Sequence, residues 1–153
     1  YCQARHQVPH LNFQRGDALN LPFADASFDV VINVEASHCY PDLRKFFQEV
    51  ARVLKPGGTF HYADMRFNDQ VTDWLGDLQS VPNLRLERMR LINPEVLKGM
   101  RLNTPRYTAM VRQAFPSFLH KITLDFAGVE NSRLYHELTN GALTYRSFRL
   151  QRL

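Results

Sequence analysis

Between Phe28 and Ala63 two apolar runs, Phe28-Asp29-Val30-Val31-Ile32-Asn33 and Thr59 to Ala63, bracket one amphipathic stretch that ends in Pro56-Gly57-Gly58. Two strands separated by a helix cannot close as a hairpin, so this spacing predicts a parallel β-α-β crossover and hence an α/β sheet. The helix is read from Leu43, Phe46, Phe47, Val50, Val53 and Leu54, which fall on one stripe, with Arg44, Lys45, Gln48, Glu49 and Arg52 expected to face water. Asp42 is the expected N-cap and Gly57-Gly58 the expected stop. A strand apolar on both faces is covered on both, so Phe28–Asn33 is expected to be a central strand.

The flanks are less regular. Tyr1–His6 reads as the last turn of a helix, and Leu11–Gln14 as a short strand that stops at Gly16-Asp17. After Ala63, a helix beginning near Asn68 or Asp69 carries Val71, Trp74, Leu75 and Leu78 on one face and breaks at Pro82-Asn83. Leu84–Glu87 alternates as a strand does, whereas Arg88–Leu91 is ambiguous. Asn93-Pro94-Glu95 and Thr104-Pro105 each resemble an N-cap followed by proline, and Pro116 and Gly128 mark further breaks, so residues 93–140 are expected to form several short helices. Asn140-Gly141 is a turn signal before a final strand, Leu143–Leu150.

At 153 residues, with 44% hydrophobic and 12% aromatic content, the chain suits a single globular core. No apolar run approaches the roughly 20 residues of a membrane span. The net charge of +4 comes from arginines scattered along the chain, which argues for an ordinary solvated surface and no nucleic-acid partner, while an anionic-lipid face and peripheral membrane contact stay open. Cys2 and Cys39 have no metal-ligand or disulfide spacing, which implies no metal site and suits a reducing cytoplasm.

In an open α/β sheet, ligands meet the turns that follow strand ends. Three such turns carry chemistry. Asp17 can accept hydrogen bonds from an exocyclic amine or cap its own turn. Asn33, Glu35 and His38 crowd into six residues after the apolar strand. An imidazole, with its ordinary pKa of about 6.5, can take a proton from a hydroxyl nucleophile, so His38 is the candidate base. Glu35 could orient His38, bind an ammonium group, or stabilise a developing cation. Asp64, at the end of the next strand, either shapes the acceptor pocket or caps the following helix.

The phrases Gly16-Asp17-Ala18, Leu21-Pro22-Phe23, Ser27 to Asn33 and Leu54-Lys55-Pro56-Gly57-Gly58-Thr59-Phe60, in this order, resemble the third to fifth strands of a class I S-adenosylmethionine-dependent methyltransferase. Val34-Glu35-Ala36-Ser37-His38-Cys39-Tyr40-Pro41-Asp42 is similar to lipid O-methyltransferases of the phthiotriolone and phenolphthiotriolone dimycocerosate type, and less so to sterol methyltransferases.

The resemblance implies a Rossmann-like sheet of strand order 3-2-1-4-5-7-6, truncated before its third strand, with residues 93–140 as a helical insertion that either closes over an apolar acceptor as a lid or packs on the sheet. It implies S-adenosylmethionine as cofactor, with Asp17 at the adenine amino group, the Ala18 N–H at a ring nitrogen, Leu21 in the wall over the adenine, and Asn33 and Val34 at the same pocket. The glycine-rich first turn of the family is absent from the sequence, so the chain reads as the C-terminal part of a longer enzyme that is inactive alone. Its first strand is then expected to drift or to pair with Phe28–Asn33. The expected reaction is O-methylation of a lipid-like or polyketide-like hydroxyl. The alternatives are C-methylation of a sterol or isoprenoid, and a degenerate, cofactor-free binding module.

Overall fold

The computed structural model describes residues 5, 6 and 8–153, and the expected helical turn over Tyr1–His6 lies largely outside them. Strands β1 (Phe28–Val34), β2 (Leu54–Phe67), β3 (Leu84–Leu91) and β4 (Leu143–Arg152) form one sheet in the order β1-β2-β4-β3. β1 and β2 are parallel, and β4 runs antiparallel between β2 and β3. This is the expected order of the last four family strands. Helices α1 (Leu43–Val53), α2 (Val71–Gln79), α3 (Asn93–Ala114), α4 (His120–Phe126) and α5 (Arg133–Thr139) lie between the strands, with short 3-10 turns at Ser37–Cys39, Asn68–Gln70 and Ser117–Leu119.

α1 forms where its apolar stripe demands. The Asp42 carboxylate accepts the Lys45 N–H at 2.8 Å, capping a first turn whose amide groups have no partner within the helix. Phe46, Phe47 and Val50 are buried against Phe60 and Tyr62 of β2, and Trp74 and Leu78 of α2 close the same core with Phe148 and Leu150 of β4. The rings meet edge-on or stacked at centroid separations such as 5.5 Å for Phe47–Tyr62 and 5.0 Å for Trp74–Phe148. Truncating a fully buried ring such as Phe47 to alanine would cost about 3–5 kcal/mol.

Several expectations are corrected. The helix stops at Val53, not at Gly57-Gly58, and β2 begins directly at Leu54. The glycines serve the strand entry instead: Gly57 has φ +81°, and a Cβ on Gly58 would sit 2.9 Å from the Lys55 carbonyl oxygen and 3.0 Å from that of Asp29. Glu49 does not face water. It is buried because it accepts the Leu21 N–H at 2.8 Å and binds Arg52 through both oxygens, and Arg52 in turn donates to the Leu21 and Phe23 carbonyls. This strap lays the loop of residues 17–25 along α1.

Leu11–Gln14 forms no strand, and Leu11 and Phe13 are exposed, so this segment drifts, as one of the two expectations held. β1 has a bare edge, as the truncated reading expects of the family's fourth strand, and is not covered as a central strand would be: among the described residues nothing pairs with its second edge, and Val30, Ile32 and Val34 are exposed. The ambiguous Arg88–Leu91 continues β3. Residues 93–114 make one helix through Pro105, because Thr104 caps nothing and instead donates to the Met100 carbonyl one turn back, at 2.8 Å. Asn93 does not cap α3 either. It is buried and stitches the helix start to β4, donating to the Leu138 and Leu143 carbonyls and accepting the Tyr145 N–H.

Candidate active site

The site lies where β1 and β2 end side by side. The Glu35 N–H donates to the Ala63 carbonyl at 2.9 Å, so the chain leaving β1 is tied to β2 before it turns through Ser37–Cys39. Along β2 the side chains of Tyr62, Asp64 and Arg66 share one face by the two-residue period of a strand, and all three are buried. The turn drops Ser37 and His38 onto this row.

Asp64 is the hub. Its carboxylate accepts from Ser37 Oγ at 2.6 Å, His38 N–H at 3.1 Å, Met65 N–H at 2.8 Å and His38 Nδ1 at 2.8 Å, and the Arg66 guanidinium lies 3.5 Å away. Burial pulls its pKa upward, but the hydrogen bonds from Ser37, His38 and Met65 and the Arg66 charge outweigh it, so the group is held below the usual carboxylate range.

An ionised carboxylate can only accept, and this fixes the direction of every proton in the cluster. Ser37 gives its proton to Asp64, so Tyr62 donates to Ser37 Oγ, which also takes an N–H from Arg66 at 3.1 Å. The Trp74 N–H donates to the Tyr62 hydroxyl at 2.8 Å, and the Arg66 guanidinium stacks 4.8 Å over the Trp74 ring. Burial pushes the Tyr62 hydroxyl up to about 12, so it remains a donor. His38 must carry a proton on Nδ1, and in its neutral form it presents the lone pair of Nε2, with the side chain one-third exposed.

His38 lines two cavities. One, of about 530 Å³, runs past Arg66, Trp74, Asp73 and Glu137. The other, of about 500 Å³, joins His38 and Glu35 to Tyr145 and to Met100, Tyr107 and Phe126 of the helical region. Glu35 is exposed with φ +50°, and burial together with its neighbouring carboxylate raises the pKa of Tyr145.

Of the expected site residues, the structure brings His38, Glu35 and the helical segment around one cavity, whereas Val34 lines a separate one with Ile32, His61 and Arg88. Asn33 donates to the Tyr40 hydroxyl at 3.1 Å, while its side-chain oxygen is buried with no hydrogen-bond partner among the described residues. Asp17 accepts the Leu19 N–H at 2.9 Å within its own turn, and Ala18 packs on the core. Leu21 is held through its backbone by Glu49 and Arg52. Asp64 is no helix cap, and its role as partner of His38 was not read from the sequence. The missed signal was periodic: Tyr62, Asp64 and Arg66, polar at every second position of a strand end, face one side.

Four strands in this order, with a polar cluster where the parallel pair ends, define a part of the class I methyltransferase fold, and the chain is similar to methyltransferases in sequence. Residues 1–62 match the family described as "Methyltransferase domain". The chain is 49% identical to a phthiotriol/phenolphthiotriol dimycocerosates methyltransferase of Mycobacterium tuberculosis, over 96% of its own length and 54% of that protein. It is 38% identical to a fatty-acid O-methyltransferase of Mycolicibacterium smegmatis, over 97% of the chain and 53% of that protein. The chain therefore spans about half the length of these curated relatives. Among solved structures it is similar to the StiE O-methyltransferase (TM-score 0.65, 26% identity, covering 92% of the chain and 48% of that one). It shares its fold with the cyclase SpnF (TM-score 0.68, 15% identity, covering 99% of the chain and 60% of that one).

Proposed function

We propose that this chain supplies the acceptor side of an S-adenosylmethionine-dependent enzyme that methylates a hydroxyl on an apolar, lipid-like or polyketide-like molecule. The observation that carries the reading is the His38–Asp64 pair, 2.8 Å apart, at the wall of a cavity whose far side is the apolar face of α3 and α4. Relatives named for fatty-acid O-methylation and for dimycocerosate methylation support the acceptor class.

The residues present suit the cofactor. The buried, partnerless oxygen of Asn33 is an acceptor waiting for an N–H, and Glu35 beside it offers a carboxylate to an ammonium group. Asp17, Ala18 and Leu21 would meet the adenine, and Asn33 and Val34 the remainder. When bound, S-adenosylmethionine supplies an electrophilic methyl group on a sulfonium.

The chain's own work is to align and deprotonate the acceptor. His38 Nε2 takes the hydroxyl proton as the oxygen becomes a nucleophile, and the Asp64 carboxylate stabilises the imidazolium that results. The chain Trp74 to Tyr62 to Ser37 keeps that carboxylate ionised and fixed. Residues 93–140 act as a lid: Met100, Tyr107 and Phe126 wall the cavity, exclude water and give an alkyl chain its contacts. The free, exposed Cys39 suits a reducing, cytoplasmic setting. Among the described residues no helix is long and apolar enough to cross a membrane.

A second reading, C-methylation, is favoured by the Glu35 carboxylate lining the same cavity, where it could stabilise a carbocation. The two separate by mutation in the full-length gene product. Hydroxyl chemistry requires that His38→Ala abolish methyl transfer while Glu35→Gln is mild, and the reverse pattern supports carbon. Titration calorimetry with S-adenosylhomocysteine tests both against a cofactor-free module, which would bind none.

A further inference from the structure

From Val96 to Leu124 the sequence holds no aspartate or glutamate, yet it carries Lys98, Arg101, Arg106, Arg112 and Lys121; Asp125, which follows, is exposed and accepts the Arg133 N–H at 2.7 Å. All five are exposed, and none has a carboxylate partner among the described residues, although Arg52, Lys55, Arg90, Arg133 and Arg149 elsewhere do. The same stretch leaves large apolar side chains in water. Phe118 is 78% exposed, Ile122 71% and Phe126 93%. A spacing of four stacks Ile122 and Phe126 on one face of α4, with Phe118 one turn before them. Phe126 also stands at the rim of the cavity that contains His38.

Apolar residues on one helix face, flanked by unneutralised cations, suit the boundary between headgroups and acyl chains of an anionic bilayer. Neither signal alone holds a protein there firmly, and this segment has both. We infer that the segment from Arg106 to Phe126 is a membrane-docking face: Phe118, Ile122 and Phe126 enter an anionic lipid surface beside Arg106, Arg112 and Lys121, and the cavity mouth at Phe126 opens onto the lipid phase. An apolar acceptor then reaches His38 without crossing water. The acceptor's route rests on the methyltransferase reading, while the docking itself does not.

The test is cosedimentation of the full-length gene product with vesicles of phosphatidylcholine alone or of equimolar phosphatidylcholine and phosphatidylglycerol. Binding should be at least about tenfold tighter to the anionic vesicles and should weaken as salt is raised. The triple change R106Q/R112Q/K121Q should lower affinity for anionic vesicles by on the order of a hundredfold and leave the weak binding to neutral ones unchanged. F118S/I122S should weaken both, with no loss of thermal stability, because both side chains start exposed. Equal partition to the two vesicle types, no binding, or variants that behave as the parent would overturn the inference. So would slow hydrogen exchange over residues 118–126 in the vesicle-free protein, since that would mean a polypeptide covers the face instead. If vesicles bind as expected but S-adenosylhomocysteine does not, the docking face stands and the enzymatic reading falls.

Discussion

Asp64 and His38 are 26 positions apart and meet at 2.8 Å because β1 and β2 are parallel and end together, which turns the loop after one strand back over the end of the other. The carboxylate fixes the tautomer of the ring. Asp64→Asn would let an amide N–H face Nδ1 and move the ring proton to Nε2, the nitrogen proposed to take the acceptor's proton. In the full-length gene product kcat should fall by roughly a hundredfold to ten-thousandfold, while S-adenosylhomocysteine affinity by calorimetry stays within about twofold of the parent, as the proposed action of the ring on the acceptor requires. An unchanged kcat would remove His38 from the chemistry.

Acid should unfold the protein through two particular carboxylates. Asp64 and Glu49 both have pKa values below their ordinary 3.8 and 4.5. A carboxylate lowered in the folded state binds fewer protons there than in the unfolded chain, so its stability contribution is present above the unfolded pKa and is lost as pH falls through the folded one. The urea midpoint should therefore hold from neutral pH to about pH 5 and then fall steeply. Glu49→Gln should flatten the fall. A midpoint independent of pH down to 3 would contradict the Glu49–Arg52 strap as well as the Asp64 cluster.

Tyr62 makes the opposite prediction at alkaline pH. Its folded pKa of about 12 lies above the ordinary 10, so its contribution is complete below pH 10 and is lost as pH rises toward 12. Phenolate absorbance at 295 nm should show a late component that coincides with loss of the near-ultraviolet signal of Trp74. Tyr62→Phe should shrink that late component, to which Tyr145 also contributes, and leave the Trp74 N–H without an acceptor, at a cost of about 1–3 kcal/mol.

Asn93 joins the helical region to the sheet by three hydrogen bonds, to the Leu138 and Leu143 carbonyls and from the Tyr145 N–H. Asn93→Ala leaves these buried groups unpaired, and a loss of about 2–4 kcal/mol is expected in denaturant unfolding. Amide exchange of α3 should quicken more than that of β2, because the change cuts the helical region from its anchor on the sheet.

The periodic elements were legible from the residues alone. α1, α2 and the β1–β2 crossover follow from apolar spacing, and the Asp42 cap and the Asn140-Gly141 turn from local chemistry. The misreadings share one cause, which is contact between distant parts of the chain. Glu49 looks like a solvent-facing helix residue until the Leu21 loop folds over it, and Asn93 looks like a cap until β4 arrives beside it. Thr104-Pro105 carries a helix-start signature, but the helix already begun at Asn93 runs through it. At the site, His38 and Glu35 could be picked out by their place after a strand. Asp64 could be noticed but not assigned, since its partner depends on how a three-residue turn falls on the neighbouring strand.

The position of β4 also sets the order in which this structure can be assembled. β4 lies between β2 and β3, and its Tyr145 is the group that Asn93 grips. Until residues 143–152 are in place, β3 has no described strand to pair with and the helical region has no anchor on the sheet. The β1-α1-β2 unit can close early from contacts near in sequence, whereas the rest must wait for a strand distant in sequence from the partner it joins, as with Tyr62 and Phe148. Folding should then show a fast phase in the β1-α1-β2 unit and a slower one in which β3, β4 and the cavity beside His38 form together.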